Sequence, residues 1–167
     1  IHKEAKAPKV HEIMPEYLAA TRVRPQPPTE SAVLVGSCNR DQKAWVEEKG
    51  LYNIRLDANG LKLFGVKEAG AKYLLLREKG QLKSGNIWQI TGEAPELVSK
   101  SDLKGKGYPR NPSCDYYLLY SICRVGSAVF GNQEWDVSKL PGYSSTRSNT
   151  GRPFAVTLSE LSTAVVL

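Results

Sequence analysis

One stretch constrains the fold more than any other: "DYYLLYSICRV", Asp115 to Val125. Tyr116, Leu118, Tyr120 and Ile122 share one parity, and Tyr117, Leu119 and Cys123 share the other. Successive side chains of a strand point to opposite faces. A strand with bulky apolar groups on both faces needs cover on both, so it belongs in the middle of a sheet. The pattern predicts a central strand, paired on both edges, with Leu118, Leu119 and Tyr120 in the core. A chain holding such a strand must supply neighbours on each side of it.

The rest of the sequence supplies candidates. "SAVLVG" is a short β-branched apolar run, a buried-strand signal. "NRDQKAWVEEKG" reads as a helix: Asn39 caps it, Gln42 stands at the third position, Asp41 suits the positive end, and Gly50 closes it. "LYNIRLD" alternates Tyr52, Ile54 and Leu56 against Asn53, Arg55 and Asp57, as a half-buried strand does. If the two strands of this unit pair directly and in parallel, their crossover is right-handed. Asn59 and Gly60 offer a turn. Tyr73–Arg77 and Ile87–Thr91 read as an antiparallel hairpin joined by a long polar loop. Ser99 or Ser101 caps a short helix ending near Gly105 within "APELVSKSDLKGKG". The signal weakens between Gly126 and Arg152, and "LPGYSSTRSNTGRP" has loop composition. "FAVTL" is a further strand, and Thr157 with Glu160 makes a capping box for a terminal helix. No internal repeat is visible. Mixed strands and helices predict an α/β or α+β fold, a single domain with a mixed β-sheet flanked by a few short helices.

The chain has 167 residues, enough for one domain with an arm. Residues 1–30 read as an N-terminal arm or linker, because Pro25, Pro27 and Pro28 forbid a regular helix there. Residues 31–167 form the mixed domain. No apolar run approaches the roughly 20 residues of a membrane helix. The opening "IHKEAKAPKV" lacks the apolar core of a secretory signal, and it starts without methionine, as a piece of a larger protein does. Cys38, Cys114 and Cys123 are odd in number and lack metal spacing, which fits a reducing, cytoplasmic setting and no disulfide framework. Only His2 and His11 are available as imidazole ligands, so no metal site is expected. The cofactor is left open.

The formal charge of +6 favours an anionic partner, nucleic acid first among them. Two constellations follow. In "SKSDLKGKGYPR", Lys100, Lys104, Lys106 and Arg110 surround Asp102. Tyr108 lies within the stretch, and Trp88 lies on a strand of the same sheet. Cations interleaved with aromatics neutralise a backbone and stack bases; equally, the tyrosines fill a core and the lysines solubilise a helix. Arg147 and Arg152, in the Ser/Thr/Asn loop, extend the set toward phosphates. The second constellation is a phosphate or anion turn, Gly36, Ser37, Asn39 and Arg40, where a strand runs into a helix N-terminus. A tight turn and an N-cap explain the same residues, and no glycine-rich nucleotide motif accompanies them. Asp102 and Lys104 have the spacing of the last acid and lysine of a restriction-type nuclease, with Asp57 as an earlier acid. A helical Asp102 argues against that reading, and no catalytic residue is assigned.

The succession "KYLLL … IWQIT … SKSDL … GYP … DYYLLY" resembles accessory regions of bacterial restriction and defence proteins. It is also similar to small PUA-like modules that read modified bases. The likeness spans the middle of the chain, implies a PUA-like barrel there, and carries no catalytic residue. The expected function is a nucleic-acid-binding module, part of a larger DNA- or RNA-processing or restriction protein, without a membrane partner. Two alternatives stay open: a small α/β enzyme acting on a phosphate-bearing substrate, and a protein-interaction domain for an acidic partner.

Overall fold

The computed structural model describes residues 31–56, 70–125, 127–143 and 153–167. The predicted arm 1–30, the turn at Asn59 and Gly60, and Asp57 lie outside them. In chain order the elements are β1 (Ala32–Cys38), α1 (Arg40–Lys49), β2 (Leu51–Arg55), β3 (Tyr73–Glu78), β4 (Lys83–Ser84) and β5 (Ile87–Ser99). They continue with α2 (Lys100–Gly105), β6 (Tyr116–Arg124), α3 (Ser127–Phe130), β7 (Trp135–Asp136), a 3-10 turn (Val137–Lys139), β8 (Phe154–Thr157) and α4 (Leu158–Ser162).

Six strands form one sheet in the order β2-β6-β5-β3-β1-β8, and β4 pairs with β7 in a small second sheet. β1 and β3 are parallel; the other pairs of the large sheet are antiparallel. The sheet is therefore mixed, as expected. β6 is paired on both edges, with Leu118 opposite Ile54 on β2 and Leu97 on β5. Leu118, Leu119 and Tyr120 are all buried. The expected hairpin is present, but β5 runs on to Ser99, past an irregularity between Thr91 and Glu96. Gly92 sits there with φ of 84°, which a glycine adopts without a Cβ clash. Pro95 lies in the same break, where a missing ladder donor does no harm.

The β1–α1–β2 unit is not the directly paired parallel unit that the sequence left open. Three strands separate β1 from β2, which lies at the sheet edge and pairs antiparallel with β6. Yet the Tyr52 hydroxyl on β2 donates to the Ser37 carbonyl on β1 at 3.3 Å. In a flat sheet those strands would stand four spacings, about 19 Å, apart. The sheet is therefore strongly curled, and α1 spans the opening. Among the described residues it does not close: β2 and β8 are its two edges, so the barrel expected from the PUA-like resemblance is not closed.

The curl encloses the larger core. Leu34, Leu74, Trp88, Leu118, Tyr120 and Tyr52 from five strands meet Trp45 and Val46 of α1 and Leu103 of α2. A second core lies on the other face of β1 and β3, where Val33, Val35 and Leu75 meet Val156, Leu161, Trp135, Val137 and Leu140. Much of that cover comes from the Gly126–Arg152 region, where the sequence signal was weak. Trp135 is 1% exposed, and Phe130 stacks edge-on to it with ring centroids 5.7 Å apart.

Candidate nucleic-acid interface

α1 starts and stops as its sequence requires. The Asn39 N–H donates to Gln42 Oε1 at 2.9 Å, and Gly50 closes the helix in the left-handed conformation with φ of 66°. Trp45 and Val46 are its buried residues. α2 is capped at Ser99, whose Oγ accepts from the Asp102 N–H at 3.1 Å. Asp102 returns toward the Ser99 N–H, so its carboxylate belongs to a capping box. This use of Asp102, in a helix, removes it from the nuclease arrangement weighed above.

From α2 the chain runs back along α1 as a strap. Trp45 Nε1 donates to the Lys106 carbonyl at 3.1 Å. The Tyr108 ring meets Trp45 edge-on at 5.1 Å between centroids, and its hydroxyl accepts from Gln42 Nε2. Arg110 then grips Asp41 at the helix start, with Nε to Oδ2 at 3.0 Å and Nη2 to Oδ1 at 3.1 Å. With its amide turned so that oxygen faces the guanidinium, Asn39 also accepts from Arg110 Nη1 and Nη2 at 3.1 Å each. Residues 106 to 110 thus lie antiparallel to α1. Gly107, with φ of 84°, makes the turn beside the Lys49 side chain.

The strap brings the two sequence constellations together. Asn39 of the predicted anion turn meets Arg110 of the basic loop, and Arg40 follows Asn39 as the first residue of α1, exposed. Lys104, in the last turn of α2, and Lys106, at the start of the strap, are exposed and make no ion pair among the described residues. Lys104 Nζ donates to the Tyr108 carbonyl at 3.4 Å. Lys100 faces Asp115 at 3.5 Å, and both side chains are largely exposed. The Arg110 guanidinium beside Asp41 holds that carboxyl below the usual range, and Asp41 raises Arg110 in turn.

Other expected members fall elsewhere. Trp88 is 2% exposed, with Arg124 stacked 4.3 Å from its ring centre and its Nε1 without a partner among the described residues. Tyr108 is 7% exposed. Neither ring offers a free face for stacking a base, because each fills the first core. Gly36 is buried, and a Cβ there would collide with the Tyr52 hydroxyl and ring. Its small size serves the sheet curl, not the close approach of a phosphate. The Ser37 carbonyl is taken by Tyr52. Arg147 and Arg152 lie outside the described residues. Sequence reading missed Trp45 and Asp41 as the anchors of the strap. The available signal was a tryptophan, flanked by Ala44 and Val46, on a helix whose other residues are all polar or charged.

No helix among the described residues is long and apolar enough to cross a membrane. Comparison with family models, with curated proteins and with solved structures yields no match to this chain.

Proposed function

We propose that the protein is a nucleic-acid-binding module that meets phosphates along the α1 strap. The observation that supports this reading is the strap itself. Lys106 opens a segment held at both ends against a helix, by Trp45 at its own carbonyl and by Asp41 at Arg110, and Lys104 stands just before it on α2 with its Nζ donating to the Tyr108 carbonyl. Such a segment has little left to order when a ligand arrives. Arg110 takes a different part from the one its charge suggests. A phosphate must displace Asp41 to reach it, so Arg110 positions the strap while Lys104 and Lys106 reach the phosphates. This reading implies a cytoplasmic setting within a larger DNA- or RNA-processing or restriction protein.

Affinity against salt concentration tests the division of labour. Removing one cation that neutralises a phosphate should flatten the log–log salt slope by about 0.7 for single strands and 0.9 for duplex. The Lys104→Ala, Lys106→Ala double variant should therefore show a slope shallower by about 1.4 to 1.8. Arg110→Ala should weaken binding while leaving the slope near that of the parent. Equal slopes in parent and double variant would remove the strap from the interface.

A further inference from the structure

Trp88 and Tyr108, the rings expected to stack bases, are buried, and the exposed aromatic ring among the described residues is a different one. Tyr116 is 41% exposed. It opens β6, and side-chain alternation puts it on the same face of the strand as Leu118 and Tyr120, which are buried. The Tyr116 ring therefore stands where that face runs out of cover. Its backbone is fixed on both edges. The Tyr116 carbonyl accepts from the Leu56 N–H, just after β2, at 3.1 Å. On the other edge Tyr116 is paired with Ser99, the residue that caps α2. Asp115 is tied to α2 as well. Its carbonyl accepts from the Lys100 N–H at 2.9 Å, and its carboxylate meets Lys100 Nζ at 3.5 Å. The exposed ring thus sits at the foot of the helix that carries Lys104 and leads into Lys106.

We propose that Tyr116 is a stacking platform for an unpaired base, so that the nucleic acid met by the strap is a single strand. This inference deepens the nucleic-acid reading and rests on it. Cations alone would serve a phosphate backbone, whereas an exposed ring serves a base. A duplex keeps its base faces inside its own stack; a single strand offers them. Single-strand sites combine a basic track with aromatic rings in this way. The charges set the order along the strand. Lys100 is already matched by Asp115, and Asp102 is engaged with Ser99 in the cap of α2, so both acids lie at the foot of the helix with Tyr116. Lys104 stands about 6 Å farther along than Lys100, at the helical rise, and Lys106 follows it. An uncharged base is tolerated beside the acids, where a phosphate is repelled. The strand therefore lays a base on Tyr116 and its phosphates from Lys104 onward. A tyrosine ring has few rotatable bonds, and this one stands on a backbone paired on both edges, so little freedom is lost when a base arrives.

Affinities for four probes test it: a ten-nucleotide oligodeoxyadenylate, its ribo counterpart, an abasic strand of the same length and charge, and a duplex of ten base pairs. Tyr116→Ala should weaken both adenylates by about 5- to 150-fold, the range for one stacked base. It should leave the abasic strand and the duplex unchanged. The salt slope should stay that of the parent, because no cation is lost. Tyr116→Phe should bind as the parent does, since stacking needs the ring and not the hydroxyl. Unchanged adenylate binding by Tyr116→Ala would overturn the platform. So would a loss of the same size on the abasic strand or the duplex. In those cases a flatter salt slope in the Lys104→Ala, Lys106→Ala variant would still uphold the phosphate reading, whereas a parent that binds none of the four probes would end both.

Discussion

At the scale of single residues, the pair Asp41 and Arg110 shows how a surface charge acquires a role. Both side chains are nearly half exposed, so the pair adds little to stability. Its consequence is positional: it ends the strap at the N-terminus of α1. The fork lowers the Asp41 carboxyl below its ordinary value, with the Arg110 hydrogen bond as the largest cause. A depressed carboxylate supports the folded state above the unfolded value of about 3.9. That support is lost as pH falls through the lowered folded value. An NMR titration of the Asp41 carboxyl should give a midpoint below the ordinary aspartate range, and Arg110→Ala should return it there. An ordinary midpoint in the parent would mean that the fork is absent in solution. Cys38 shows the opposite effect of environment. Burial, with Glu78 nearby, pushes its thiol up to about 11, so it stays protonated and inert at neutral pH.

Among the elements, β6 and α1 carry the architecture by different means. β6 is held by packing on both faces and pairing on both edges. Leu118 is wholly buried. Leu118→Ala should therefore cost about 2–5 kcal/mol in a denaturant titration, through the transfer energy of the deleted methyl groups and the cavity left behind. A variant as stable as the parent would contradict the burial of the strand between two neighbours. α1 is held by its ends and by two buried residues. Its start and stop were legible because capping is local: Asn39, Gln42 and Gly50 act within a few residues of one another. The same holds for Thr157, whose Oγ1 accepts from the Glu160 N–H at 3.1 Å. β5 was read too short. Gly92 and Pro95 look like a terminus in sequence, whereas pairing with β6 resumes beyond them at Glu96. Short elements such as β7 were not legible, because a two-residue strand has no periodicity to read.

For the whole molecule, the curl of the sheet is the decisive feature, and Gly36 with Tyr52 tests it. A Cβ at position 36 would meet the Tyr52 ring at 2.8 Å as well as the hydroxyl. Gly36→Ala should destabilise by about 1–3 kcal/mol, the usual cost of overpacking. Adding Tyr52→Phe should recover part of that loss, because the nearest atom is then gone. Independent, additive effects of the two substitutions in thermal melts would place β2 away from β1. Local patterns in the sequence determined that β6 is paired on both edges, though it lies next to the edge strand and not at the centre of the sheet, that α1 and α4 begin where they do, and that the sheet mixes with short helices. Each of these depends on side-chain alternation or capping within a few residues. Strand order, the curl and the second core were decided only in the tertiary structure, since they depend on packing between distant segments. The same holds at the basic loop. The residues of "SKSDLKGKGYPR" read alike as a solvated connection or a phosphate edge. Trp45, Gln42 and Asp41, each more than sixty positions before its partner on the strap, fasten it along α1. The fold also turned Trp88 and Tyr108 inward, because their apolar area is worth more in the core than on the surface.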